Sequence, residues 1–544
     1  MSSSSDSSTP RGEAWVWFSG LGLIIGLGMV VGLLGLVLMN GATVFWAPPV
    51  PVAQVDDGRV LIGQLAQRRI RAGSPADQPR YERQYQVGLR ELNGNSYLWV
   101  DEAKIKGETF PADVLGLERV ENGPAFVRPQ SLRKSDGVVI AVADPAFEAA
   151  FQVEVTAAAA VREKLIEITR HRIGDVNASM DKAKVSLRRA EDLRLTGEAT
   201  ALQKEITVLD GRFAALQEEA KKVVAGGAVA SLISQDAAGR EVVVPLTQVI
   251  RAWFPNRLGT WGRVRLFASR LGEFIFDEPR EANTEGGLMP AIFGTLVMTV
   301  FMSLLVTPFG VITAIYLREY AQQGAVLRIV RISVNNLAGV PSIVFGVFGL
   351  GFFVYVLGGS IDQLFFADQL KYNNNTPVFG TGGLLWCSLT LALMTLPVVI
   401  VATEEALAAV PRGMREASLA TGASKWQTIR DILLPASAPG ILTGVILAMA
   451  RGAGEVAPLM LVGVVKLAPT LPFDGSAPFL HMDRKFMHLG FHVYDLGFQS
   501  PDSDAARPMV FATTLLLIVL VVCLNLGAIW IRNRLRARFK GASF

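Results

Sequence analysis

Cysteine is nearly absent. Cys387 and Cys523 are the only two in 544 residues, and both lie in apolar runs, which excludes a disulfide framework and leaves them as small buried hydrophobes. Charge is scarce as well, at 18%, and nearly balanced: 52 basic against 48 acidic residues give a net charge of +4, too little to imply nucleic acid. No G-x4-G-K-[ST] loop is present, so the chain has no usual cradle for nucleotide phosphates. No kinase, cyclase or methyl-accepting segment follows the last apolar run. What the chain has instead is hydrophobicity. Apolar residues make up 51%, the mean hydropathy is +0.36, and several runs reach the ~20 residues that a bilayer core of about 30 Å demands. The chain reads as an integral membrane protein.

Six spans are expected, at residues 15–39, 288–317, 337–357, 380–402, 439–465 and 509–531. The first is too long for a signal-peptide core, and Leu38-Met39-Asn40 is a poor cleavage site, so it reads as an uncleaved anchor. Basic residues orient the set. Arg318, Arg328 and Arg331 follow span two; Arg412, Arg415, Lys425 and Arg430 separate spans four and five; Arg532, Arg534, Arg536, Arg538 and Lys540 follow span six. The loop at 359–379 carries Lys371 alone. Positive residues collect on the cytoplasmic side, so both termini are expected there and residues 40–287 outside.

That outer segment is long enough for its own core. Strands are expected at 59–65, 84–89, 97–100, 138–142 and 241–245, with turns at Asp56-Asp57-Gly58 and Asn93-Gly94-Asn95. Its middle, about 147–224, reads as helix. Ile173, Val176, Met180, Ala183, Leu187 and Ala190 step by three and four, and Leu202, Ile206, Leu209, Phe213 and Leu216 resume in a new phase. The phase break near Gly197 suggests an antiparallel hairpin with arms of about 40 Å, a single bent helix being the other reading. Such a hairpin serves as a spacer or packing platform, or touches a binding protein or another subunit. His171 stands alone among charged residues and belongs to a solvated face.

Residues 416–435, reading EASLATGASKWQTIRDILLP, form an amphipathic stretch between two apolar spans. Glu416-Ala417-Ser418 leads to Gly422, nine residues separate Gly422 from Ile432, and Leu433-Leu434-Pro435 follows. This resembles the E-A-A-x3-G-x9-I-x-L-P loop of importer permeases in the ATP-binding cassette (ABC) superfamily, with Ser418 where the pattern has Ala. Small residues let a partner approach the backbone, Gly422 permits a sharp turn, and Pro435 is expected to end the second helix before span five. Two further stretches, 335–346 (NNLAGVPSIVFG) and 451–459 (RGAGEVAPL), are similar to the phosphate-specific PstA family of permeases, and the likeness covers most of 288–539.

Arg451 and Glu455 are expected on one helix face at i, i+4, well inside span five. A charge at the bilayer centre costs at least ~2.5–3.5 kcal/mol on insertion scales, so it faces a polar cavity or a partner charge. Arg451 either lines an anion pathway, its fork of donors matching a tetrahedral oxyanion with Glu455 positioning it, or the two neutralise each other structurally. In the loop at 466–508, His481, Asp483, His488 and His492 admit a metal reading, against a short amphipathic helix at the outer interface. The turn at 372–376 offers no chemistry.

The resemblance implies an α-helical membrane protein: six transmembrane helices, the last five forming a type I ABC importer permease core, plus an extracytoplasmic α/β domain with a helical hairpin. The expected organisation is a cytoplasmic tail at 1–14, an anchor helix at 15–39, the outer domain at 40–286, the permease domain at 287–533 with a coupling loop at 403–438, and a basic tail at 534–544. The family implies a phosphate importer subunit in a bacterial inner membrane, not itself an enzyme. Its partners would be a PstC-like sister permease, a PstB-like ATPase dimer that binds ATP and Mg, and a PstS-like phosphate-binding protein. No cofactor is expected in this chain. Coupling would run through Glu416, Ala417, Ser418, Gly422, Ile432 and Pro435, and phosphate past Arg451 and Glu455. Sulfate or molybdate are alternative substrates, and a membrane-anchored sensor or scaffold is the alternative of another class.

Overall fold

Six helices are long and apolar enough to cross a bilayer: Trp17–Thr43, Met289–Tyr320, Ser342–Phe365, Leu384–Ala408, Lys425–Gly454 and Ser503–Arg534, referred to below as spans one to six. The computed structural model describes residues 13–75, 79–226, 230–280, 283–468, 470–474, 479–500 and 503–540. Span four is the centre of the bundle. It packs on span two, where Gly310 lies against Val399 and Ile400, and on span five, where Gly440 and Gly444 press on Ala406 and Ala402. Two glycines four apart facing two alanines four apart let the backbones approach closely, the usual way helices associate where lipid removes the hydrophobic drive. Span one touches the bundle at its C-terminal end, where Gly41 packs on Phe511 and Leu515 of span six, and is exposed from residue 21 to residue 34.

Several boundaries differ from expectation, three of them for a visible local reason. Span three starts at Ser342 rather than 337, because Pro341 is extended (φ −56°, ψ 136°) and the residue before a proline is pushed out of the helical region. Asn335 to Leu337 instead close a separate amphipathic helix, Ala325–Leu337. Span five ends at Gly454 rather than 465, with Gly452, Gly454 and Pro458 all weakening helix there; a short second helix, Ala457–Val462, packs against the start of span three. Finally, Pro435 does not end a helix. Residues 425–454 are one helix whose turn at Ile429–Leu433 is widened, and that widening accommodates the ring and the missing N–H of Pro435.

Between spans one and two lies the inserted α/β domain. One sheet runs Glu241–Pro245, Ser231–Gln235, Ala125–Arg133, Leu115–Arg119 and Val249–Trp253, with Val139–Ala141 beside Ala125–Arg133. Two three-stranded sheets flank it: Val60–Ile62, Val52–Val55, Ile105–Thr109, and Gln64–Ile70, Tyr81–Gln86, Tyr97–Asp101. Gly58 and Gly94 take positive φ at the expected turns. The core joins Leu115, Leu117, Val127, Leu132, Leu232 and Val244 to Phe147 and Phe151 at the root of the hairpin. A helix at Thr260–Phe276 fastens this domain to the spans. Its Glu273 pairs with Arg251 (2.8 Å), and Phe274 lies 4.9 Å from Phe45 at the end of span one.

The hairpin is present. Its first arm runs from Phe147 to Asp192 through a widened turn at Glu167–Arg172, and its second is Thr196–Gly226. Met180, Ala183, Ile206 and Leu209 are buried between the arms, packed by Val176, Leu187 and Phe213. The reversal sits at Arg194 (φ 54°), while Gly197 is helical. The tip docks on this chain's own loop after span three. Arg188 donates to Tyr372 O (3.0 Å) and Asn374 Oδ1 (2.9 Å), Tyr372 Oη donates to Asp192 (2.6 Å), Lys371 also pairs with Asp192, and Arg189 pairs with Asp368 (3.2 Å). The turn at 372–376, expected to be inert, is the receptor for that tip.

Candidate functional site

The segment between spans four and five folds as a helix, Arg412–Ala420, a turn, and a helix that starts at Lys425. Gly422 supplies the turn at φ +88°, a conformation that a side chain disfavours. Ser424 then opens the second helix with a capping box, its hydroxyl accepting from Gln427 N (3.2 Å) and Gln427 Oε1 accepting from Ser424 N (2.7 Å). A hydroxyl pair, Ser418 Oγ and Thr428 Oγ1 at 2.9 Å, ties the two arms together. The serine that departs from the family pattern therefore has a structural task.

Beneath the turn, Ile429 and Leu433 are buried with Ile315, Leu407 and Val410, at the ends of spans two and four. The widened turn thus packs the arms against the ends of spans two and four at the start of span five. Electrostatics add a brace that the sequence reading missed. Arg415 of the first arm pairs with Glu319 (3.0 Å), Lys425 of the second donates to the Glu319 carbonyl, and its ammonium stands 4.9 Å above the Tyr320 ring. The available signal was Glu319 itself, an acid in an end of span two otherwise marked by basic residues. Glu416, Ala417 and Gly422 are exposed, Ser418, Ile432 and Pro435 half-buried. Met414, Leu419 and Trp426 expose apolar surface on the same unit. The unit is thus an exposed helix–turn–helix with apolar projections, seated on spans two, four and five.

Arg451 and Glu455 are brought together at 3.6 Å, an ion pair too long for a hydrogen bond. They do not share a helix face, because the helix ends at Gly454 and Glu455 is extended (φ −78°, ψ 137°). Gly452, beside Arg451, packs on Met302 in the middle of span two, so the guanidinium lies at mid-depth. Its side chain is 38% exposed on the open flank of the bundle. A cation at that depth is costly to leave against lipid.

The four residues considered for metal are dispersed. His481 Nε2 lies 3.0 Å from Asp474, which also binds Arg484, whereas His488 and His492 are buried on the helix Leu489–Phe498. That helix packs against span six. Among the described residues no group of three His, Cys, Asp or Glu is arranged to hold a metal ion. His488 Nδ1 accepts from Gly490 N (3.1 Å), and burial pushes both imidazoles down, to about 3 for His488 and about 4 for His492. Asp495 beside them is neutralised by Lys466 (2.9 Å).

Residues 306–539 match the family described as binding-protein-dependent transport system inner membrane component. The probable ABC transporter permease protein YqgI of Bacillus subtilis (strain 168) is 30% identical over 266 residues, 48% of this chain and 82% of that protein. The phosphate transport system permease protein PstA 1 of Mycobacterium tuberculosis (strain ATCC 25618 / H37Rv) is 36% identical over 248 residues, 45% of this chain and 70% of that protein. PstA of Mycobacterium leprae (strain TN) is 40% identical over 192 residues, 35% of this chain and 56% of that protein. The inserted domain lies outside the family match.

Proposed function

We propose, from the premise that this chain belongs to the family of binding-protein-dependent transport system inner membrane components, that it is the permease subunit of an ATP-driven phosphate importer. The chain is a permease of the ABC class. The observation that carries the coupling role is the helix–turn–helix at 412–428, exposed on its apolar side and fixed to spans two, four and five by Ile429, Leu433 and Glu319. A separate ATPase dimer of PstB type, closing on ATP and Mg, would move that unit as a lever and switch the spans between two openings.

The phosphate reading rests on the relatives that bear that name and on Arg451. One guanidinium offers donors in a planar fork that matches a tetrahedral oxyanion, and Glu455 at 3.6 Å leaves the fork free to turn toward an incoming anion. A sister permease of PstC type would close the open flank on which Arg451 lies, and a PstS-like binding protein would deliver the anion to the face carrying the inserted domain. Both termini and the coupling unit would then lie in the cytoplasm.

The test is ATP-dependent uptake of radiolabelled phosphate by the reconstituted complex, with sulfate and molybdate as competitors, comparing the native chain with Arg451→Ala. Uptake that resists both competitors and falls in the variant, with assembly intact, supports the reading. Block by sulfate or molybdate moves the substrate to that oxyanion. Unchanged uptake in Arg451→Ala reduces Arg451–Glu455 to a structural pair. Absence of any ATP-dependent uptake would favour a sensor or scaffold.

A further inference from the structure

A cavity of about 930 Å³ opens where spans one and six meet the underside of the inserted domain. Its size falls in the range of about 300–1,000 Å³ typical of small-molecule sites. The floor is made by the last turn of span one (Asn40, Thr43) and the first turns of span six (Met509, Phe511); the roof comes from the strands Gln64–Ile70 and Tyr81–Gln86 and the loop that follows them. These helix ends put the floor at the level where a bilayer's headgroups begin. Trp46, 37% exposed, and Tyr97 line the cavity, side chains that prefer such an interface because one end is apolar and the other polar.

The lining carries two arginines, Arg90 and Arg507, and two glutamates, Glu91 and Glu285. Arg90 on the roof carries no ion pair among the described residues, and Arg507 at the start of span six makes only a neutral contact, Nη1 donating to Gln67 Oε1 at 3.0 Å. Glu91 on the same wall is already held by Arg119, which leaves Glu285 as the opposing carboxylate. Below the cavity the two spans offer apolar flanks. Gly41 presses on Phe511 and Leu515, but residues 21–34 of span one are all exposed, as are Val519, Val522 and Leu526 of span six. A polar chamber with two guanidinium groups that make no ion pair among the described residues thus sits directly above lipid-facing surface.

We infer that this cavity is a binding site for the headgroup of an anionic phospholipid, its phosphate taken by Arg90 and Arg507 and its acyl chains running down the exposed flanks of spans one and six. The ligand chemistry follows from the two halves together: guanidinium forks match a phosphate group, and only a ligand with hydrocarbon tails also covers the exposed flanks. A tightly held lipid there would seat the inserted domain on the membrane and reinforce the contact of span one with span six. The site lies outside the 412–428 unit and the Arg451 region and stands whatever substrate the permease carries.

The test is native mass spectrometry of the whole assembled complex, released from bilayers containing phosphatidylglycerol and phosphatidylcholine, with phosphatidylglycerol titrated back after delipidation. The native chain is expected to retain phosphatidylglycerol in preference to phosphatidylcholine. Each of Arg90→Gln and Arg507→Gln should weaken that binding roughly fivefold, the effect of one basic side chain near an anionic lipid. Arg507→Lys keeps the charge and should recover most of it, which guards against a variant that merely misfolds. Equal retention by the double variant, or equal retention of both lipids by the native chain, overturns the proposal. Displacement of the lipid by millimolar inorganic phosphate also overturns it, by making the chamber a site for the free anion.

Discussion

Gly422 offers the sharpest separation of backbone from side-chain effects. It holds φ +88°, and a Cβ built on it meets nothing within 4 Å in this chain. Gly422→Ala therefore adds no clash inside the chain, only the cost of placing an L-residue in the left-handed region, about 1–2 kcal/mol. That shifts the turn's population about five- to thirty-fold. The Ser424 cap and the Ser418–Thr428 pair lie on either side of the turn and should loosen with it. Two assays read this: hydrogen exchange at the Gln427 amide, and ATP-driven uptake by the reconstituted complex set against its ATPase rate. Exchange should quicken and uptake per ATP should fall. Gly422→Asn, which tolerates positive φ, should recover much of both. Native exchange and uptake in Gly422→Ala would refute the argument. Equal loss in both variants would point to close approach of a partner to the glycine backbone in place of conformational strain.

Other expectations follow from the same geometry. Leu433→Ala empties a fully buried site beneath the coupling unit and should cost about 2–5 kcal/mol, read as a lowered melting temperature of the complex and a weaker ATPase response. Asp192→Asn should release the hairpin tip, seen as faster hydrogen exchange over 367–375. Hydrogen bonds from Lys371 and Tyr372 hold the Asp192 carboxyl below its usual range. A depressed carboxylate stabilises above its unfolded pKa of 3.8, so the tip should stay docked at neutral pH and let go only as pH falls below that value. His488 and His492 are bases held down by burial from 6.5 to about 3 and about 4. Their neutral burial is fully compatible with folding above pH 6.5 and becomes a growing penalty as pH falls toward 4, because the unfolded chain takes up protons first. Melting temperature should drop between pH 7 and pH 5, and His492→Phe should flatten that drop.

The six spans were legible because twenty apolar residues in a row have few other destinations, and their existence needs only composition. Their ends were less so. Pro435 looks like a terminator on local rules, yet the widened turn at Ile429–Leu433 absorbs it, and nothing in the residue pattern announces a widened turn. Span five was read as reaching 465 because Leu459, Val462 and Val464 are as apolar as the span itself; the break at Glu455 comes from two glycines and a proline whose individual effects are small. In the inserted domain, alternation exposed the strand Glu241–Pro245, whereas Ala125–Arg133 and Leu115–Arg119 went unread. Both are central strands buried on two faces, so the alternation that marks a half-exposed strand is missing from them.

The hairpin shows where local rules give out. Heptad spacing foretold the arms and the layer between them, because residues three and four apart on a helix share a face whatever surrounds them. The destination of the tip obeys no period. Arg188 meets Asn374, and Asp192 meets Lys371 and Tyr372, across a long stretch of intervening chain, and the partners are ordinary surface residues until the fold sets them opposite one another. Glu319 with Arg415 is the same case at the other face of the bundle. Each of these ties joins a span end to a unit outside the membrane, one to the inserted domain and one to the coupling turn. The loop after span three and the end of span two thus each carry a tie to a part outside the spans. Asp192→Asn and Glu319→Gln should act independently on melting temperature, their effects adding within about 0.5 kcal/mol, since they share no partner. A double variant whose loss departs clearly from the sum would mean that the two faces are linked through the bundle in the ground state.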